Sequence, residues 1–184
     1  MNVVDALVAH HNTLRQLYQQ SEADPEVFEE FVRHLVVHHT MEEKYFYDLL
    51  EGFDQGRHDA LEAVNEHHII ELIVKDAEGF PRDHGHFPIK IEGLGEYTSH
   101  HLDEEEADIF PLALELFDEK DLNTLGKLFE EAKAIMLGAI PPELPASLSA
   151  MVPKKAGIKN APNGNAATGA PGTAAGLGIG SLKK

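Results

Sequence analysis

The chain has 184 residues, 42% of them apolar and none of them cysteine, so it can fill the core of one ordinary domain but cannot build a disulfide framework, a thiolate zinc finger or an iron–sulfur site. Its net charge of −17 divides unevenly, with 31 acids and 10 bases in residues 1–140 and one acid and five bases in 141–184. An acidic body without a basic stripe argues against nucleic-acid binding, and the absence of both a long apolar run and a basic-then-apolar leader points to a soluble, cytoplasmic protein with no membrane partner.

Helix 1 is predicted from Asn2 to Gln20, where Val4, Leu7, His11, Leu14 and Tyr18 recur at helical spacing. Helix 2 opens on Asp24-Pro25-Glu26, a cap followed by proline in the first turn and an acid at the positive helix end, and runs to Gly52. Helix 3 runs from about Gln55 to Gly79, stopping before Phe80-Pro81, and the loop Asp83-His84-Gly85-His86 feeds helix 4, from about Pro88 to Phe117. A shorter helix 5 spans about Asp121 to Leu137, with an apolar face suited to capping the bundle or to forming a homodimer. No alternating strand pattern interrupts these segments. The expected fold is therefore all-α, an up-down antiparallel four-helix bundle over residues 1–140 plus a short fifth helix. Residues 141–184 hold six of the ten prolines, seven of the fifteen glycines and no aromatic residue, too little apolar surface to offset ordering entropy. A disordered linker is expected over 141–175, followed by a distinct terminal peptide over 176–184.

All 12 histidines fall in the first 101 residues, eight of them as the doublets His10-His11, His38-His39, His67-His68 and His100-His101, one on each long helix. Two doublets begin a repeat: His38-x-x-x-Glu42-Glu43 matches His101-x-x-x-Glu105-Glu106. Residues four apart lie one turn up the same helix face, so each His–Glu pair can reach a common centre. His101 shares a face with Leu94, Thr98, Glu105 and Ile109, whereas His100 would place Asp108 inward. In helix 2 the stripes through His38 and Glu42 and through His39 and Glu43 are both apolar, and only the repeat selects the first. The apolar stripes select His11 on helix 1 and His67 on helix 3. Four imidazoles and two carboxylates in a bundle interior are costly unless a cation compensates them. If the carboxylates bridge, two metals receive two histidines and two oxygens each, which suits six-coordinate iron better than one four-coordinate zinc. No Glu-x-x-His motif is present, unlike the ferritin-type bundles.

One histidine on each of helices 1 and 3, with His-x-x-x-Glu on helices 2 and 4, resembles the hemerythrin-like HHE cation-binding family over about residues 1–138. Pro111 completes the family's motif in the second copy; Asp48 stands in its place in the first. The resemblance implies a non-haem pair of iron ions, bridged by an oxo or hydroxo group, with His11, His38, Glu42, His67, His101 and Glu105 as ligands and the two glutamates spanning both ions. It also implies binding or turnover of oxygen, peroxide or nitric oxide. The oxygen-carrying hemerythrins have a second histidine one turn after the helix 3 ligand, where this chain has Glu71, which counts against reversible oxygen carriage. Tyr45, one turn beyond Glu42, reads as core and Glu71 as a solvated helix residue; both are secondary candidates for the surroundings of the metal.

The segment Leu177-Gly178-Ile179-Gly180-Ser181-Leu182 resembles the cargo-loading peptides of encapsulin nanocompartments, which follow a Pro/Gly/Ala-rich linker. That resemblance implies an encapsulin shell protein as partner, the inside of the compartment as location, and a role in oxidative and nitrosative stress defence. The same ligand set also serves iron oxidation for storage, or iron and oxygen sensing without turnover.

Overall fold

The computed structural model describes residues 1–138; the linker expected at 141–175 and the terminal peptide at 176–184 lie outside the described residues. Helix α1 spans Val3–Ala23. Its first turn is closed reciprocally, the Asn2 side chain accepting from the Asp5 amide at 2.9 Å and the Asp5 carboxylate accepting from the Asn2 amide at 3.3 Å. The Asp24 carboxylate accepts from the Glu26 amide at 3.0 Å, which starts a 3₁₀ turn over Pro25–Val27. Helix α2 follows as one rod in three stretches: α-helical Phe28–Glu42, a π turn over Glu43–Tyr47, and α-helical Asp48–Leu50. Helix α3 is Arg57–Glu78. Helix α4 repeats the pattern of α2, with Phe87–Glu104, a π turn over Glu105–Ile109, and Phe110–Leu116. Helix α5 is Glu119–Gly138, and no strand occurs among the described residues.

The first four helices close a ring: α1 packs on α2 and α4, α3 packs on α4, and the π turn of α2 packs on α3. With short connections between successive rods this is the up-down antiparallel bundle the sequence predicts. Helix α5 lies outside the ring over α1 and α2, burying Leu122, Leu125, Leu128, Phe129 and Met136 and leaving Ile135 exposed. Its apolar face is thus covered within the chain.

Two apolar clusters fill the two ends of the bundle. One gathers Phe28, Phe31, Leu35, Ile70, Phe87 and Leu94, and the other gathers Leu7, Met41, Phe46, Phe110, Phe117 and Phe129. The inward histidines and glutamates form a polar layer within this otherwise apolar interior.

Both π turns begin within one residue of the inward glutamate, and each shifts the inward face of its helix. Along α2 the buried stripe is Phe31, Leu35, His38 and Glu42 before the turn, but Phe46 and Leu50 beyond it, with Leu49 only partly buried. Along α4 the stripe Leu94, Thr98, His101 and Glu105 gives way to Ala113 and Phe117, while Leu112 is only partly buried. A π turn inserts an extra residue, so the side chains after it are rotated relative to those before.

Candidate metal centre

Each of the four ring helices delivers its side chains to the bundle axis at one level. His11 from α1, His38 and Glu42 from α2, His67 from α3, and His101 and Glu105 from α4 are all at most 1% exposed. Glu42 turns Oε1 to His38 Nε2 at 3.3 Å and to His11 Nε2 at 3.9 Å, and Oε2 to His67 Nε2 at 3.5 Å. Glu105 Oε2 lies 3.3 Å from His11 Nε2 and 3.5 Å from His101 Nε2. Two overlapping ligand groups result, one from His11, His38, Glu42 and Glu105 and the other from His67, His101, Glu42 and Glu105, with the ligand atoms of each group within 4.8 Å of one another. The shared members are the two carboxylates.

The outer nitrogens of these imidazoles are held from behind. Nδ1 of His11 donates to Glu106 at 2.8 Å, Nδ1 of His67 to Glu43 at 3.1 Å, and Nδ1 of His101 to Glu66 at 2.7 Å. A carboxylate on Nδ1 fixes the tautomer that leaves Nε2 as the ligating nitrogen and raises its basicity. Arg15 donates to the same Glu106 oxygen at 2.8 Å and to Asp103 at 2.6 Å, which anchors that carboxylate. His38 is backed differently: its Nδ1 meets Nδ1 of His10 at 3.1 Å, and Nε2 of His10 meets Nδ1 of His34 at 3.1 Å. Tyr47 donates its hydroxyl to Glu105 Oε1, which leaves Oε2 facing the histidines.

Burial and mutual repulsion divide the charge between the carboxylates. Burial, and then the charge of Glu105, push Glu42 up to about 8. Burial acts on Glu105 in the same direction but is outweighed by His101 and His11, so Glu105 is held low and ionised. For His11, burial favours the neutral ring, yet Glu105 and Glu42 outweigh it and push the pKa up to about 10. His101 is also raised, because Glu105 and Glu66 outweigh its burial. Burial is the first cause lowering His38 and His67. His67 Nε2 and His101 Nε2 approach to 3.0 Å, a contact that needs one proton between two nitrogens whose outer sides already donate. The donor set fits divalent cations: Nε2 of His11 and His38, both oxygens of Glu42 and Oε2 of Glu105 are buried without a hydrogen-bond partner among the described residues, and cation coordination satisfies such atoms.

A family model for the hemerythrin HHE cation binding domain matches residues 2–113. The chain belongs to this family. The crystal structure of a hemerythrin HHE cation binding domain-containing protein from Mycobacterium kansasii superposes with a TM-score of 0.66 at 19% identity, covering 82% of this chain and 99% of that one, a likeness of fold. No curated protein sequence matches the chain. The hemerythrin-like domain here is accordingly a helical bundle that binds metal cations, and among the described residues no helix is long and apolar enough to cross a membrane.

Of the secondary candidates, Tyr45 is buried in the apolar cluster toward Phe46, and Glu71 is an exposed residue 3.7 Å from Lys75. The tyrosine that reaches a centre carboxylate is Tyr47, two residues further on, because the π turn rotates it inward. Of the histidines outside the doublets, His58, His84 and His86 are exposed, but His34 is half-buried behind His10. Sequence reasoning also missed the backing carboxylates. Glu43 and Glu106 occupy the same place in the repeated motif, and that second glutamate was the available signal.

Proposed function

We propose that this hemerythrin-like domain holds a pair of iron ions, one at His11 and His38 and one at His67 and His101, with Glu42 and Glu105 spanning both. The sharing of both carboxylates by two four-residue groups carries this reading, since a single four-coordinate ion has no use for six buried ligands. Nitrogen and oxygen donors in these numbers suit six-coordinate iron, which when bound supplies one-electron redox chemistry and open coordination positions for a small molecule. The chain's own residues supply the rest. Glu43, Glu66 and Glu106 fix the imidazole tautomers, Tyr47 orients Glu105, and the apolar clusters at both ends keep bulk water from the layer. We infer that the small molecule is oxygen, peroxide or nitric oxide, consumed in stress defence, and that Leu177 to Leu182 load the protein into an encapsulin shell.

Two experiments test this. Ferrous protein prepared anaerobically is mixed with each of the three small molecules in turn, and consumption that scales with bound iron and disappears in E105A supports the reading. Iron-loaded protein inert to all three overturns it. Coexpression with an encapsulin shell protein tests loading: the full chain copurifies with shells and a chain lacking residues 176–184 does not, whereas equal copurification overturns the targeting role.

A further inference from the structure

Thr98 puts a hydroxyl where the rest of the bundle is aliphatic. It stands three residues before His101 on α4, the position that Leu35 holds before His38 on α2, while Leu14 and Ile70 stand three residues after His11 on α1 and His67 on α3. Because α1 and α3 run opposite to α2 and α4, these four residues form one tier about 4.5 Å along the bundle from the histidines, all on the same side. All four are buried, and the three aliphatic members belong to one apolar cluster. Thr98 is only 3% exposed, and its Oγ1 has no hydrogen-bond partner among the described residues. A helical threonine can satisfy its hydroxyl on the carbonyl four residues back, as Thr13 does at 3.3 Å and Thr124 at 2.8 Å. A residue present only to fill the tier would be aliphatic like its three counterparts, because a dry hydroxyl without a partner is costly.

This tier lies on the side of the layer that the carboxylates leave open. Glu42 and Glu105 follow their histidines by one turn, so both come to the layer from the opposite end. At that end the Tyr47 ring lies against His67, with centroids 5.6 Å apart, and the Phe110 ring against His11 at 5.3 Å. Toward Thr98, Leu35 and Ile70 also line a surface cleft of about 260 Å³ between α2 and α3, which gives a small molecule a path to the tier. We propose that Thr98 donates the hydrogen bond that orients a small molecule at the metal pair. The proposal rests on the two-metal reading above. A single donor in an aliphatic tier favours a small oxidant or anion with a lone pair on its outer atom. The hydroxyl proton stays on Thr98 throughout, so the residue orients and selects the molecule without transferring a proton.

The test uses the iron-loaded, oxidised full chain and azide, an anion with a lone pair on its outer nitrogen. Iron is counted, azide affinity is measured by titration, and the azide stretching band is recorded by infrared spectroscopy in H2O and in D2O. Wild type is expected to hold two irons and to show a band that shifts on exchange. Thr98→Val keeps the shape and removes the hydroxyl; it is expected to hold two irons, to bind azide on the order of 10-fold or more weakly, and to lose the isotope shift. Thr98→Ser, which keeps the hydroxyl, is expected to restore both. Two-iron Thr98→Val with wild-type azide affinity, or a loss that Thr98→Ser does not restore, overturns the proposal, as does two-iron wild type that takes no azide. If Thr98→Val does not fold, the wild-type band decides, an isotope shift supporting the proposal and its absence overturning it. Wild type that holds fewer than two irons overturns the two-metal reading itself, so the two failures are distinguishable.

Discussion

Loading the centre with a divalent cation at pH 7 is expected to release about three protons per chain, because metal must replace protons held by ligand atoms. One is on His11, whose Nδ1 already donates to Glu106 and whose pKa is pushed up to about 10. One is on Glu42, raised to about 8 by burial and by Glu105. The third lies between His67 and His101, where two Nε2 atoms meet at 3.0 Å and His101 is raised. Each proton adds one unit to the slope of log affinity against pH, so near pH 7 one pH unit strengthens the product of the binding constants on the order of a thousandfold. Above pH 8 the Glu42 proton is gone and the release falls to about two. The stability of the metal-free chain carries the opposite sign. The raised pKa of His11 stabilises fully below 6.5 and is lost as pH climbs toward 10, and that of Glu42 is lost between 4.5 and 8. The depressed pKa of Glu105 stabilises above 4.5 and is lost in acid. Titration calorimetry with Zn(II), in buffers of different ionisation heat, counts the protons. Release below one proton at pH 7, or affinity unchanged between pH 6.5 and 8.5, refutes the assignment.

Three substitutions probe other parts of the argument. His101→Leu should abolish binding at its position, whereas His100→Leu, at a side chain 69% exposed, should bind both ions as wild type; equal metal loss in both would contradict the register. Glu66→Ala removes the acceptor on His101 Nδ1 and should weaken metal binding about 10–100-fold, read by competition with a chromophoric chelator. Gly126→Ala should destabilise the fold, because a Cβ there would sit 2.5 Å from the Met1 carbonyl oxygen and 2.6 Å from the Asn2 carbonyl carbon. Overpacking of about 1–3 kcal/mol exceeds the helix-propensity gain of about 1, so a fall of several degrees in Tm is expected, and an unchanged or higher Tm would refute the contact.

The helices were legible because apolar residues at 3.6 spacing mark a buried face whatever lies beyond it, and the helix 3 stripe that selected His67, made by Ala60, Ala63, Ile70 and Val74, is buried. Apolar spacing did not separate the two stripes of helix 2, and only the repeat chose between them, for a reason in the backbone. Both are used: Phe31, Leu35, His38 and Glu42 of the first are buried before the π turn, Phe46 and Leu50 of the second are buried from it onward, and spacing alone does not reveal an inserted residue. The contact of Tyr47 with Glu105 and the partial exposure of Leu112 have the same cause, while Tyr45 is buried in the core as read. The doublets concealed a second fact. Sequence reasoning sought one working histidine in each, yet His10 and His39 are buried as well, His10 behind His38 and against Phe129 of α5, and His39 against His67 of α3. The backing role of Glu43, Glu66 and Glu106 depends on which helices are neighbours, which a single helix pattern does not contain.

The most direct test is the metal content of protein purified from iron-replete cells, with iron and zinc counted in the same sample. Six ligands in two groups that share both carboxylates predict about two irons per chain. Near-zero iron, or about one zinc per chain, would contradict the two-iron centre.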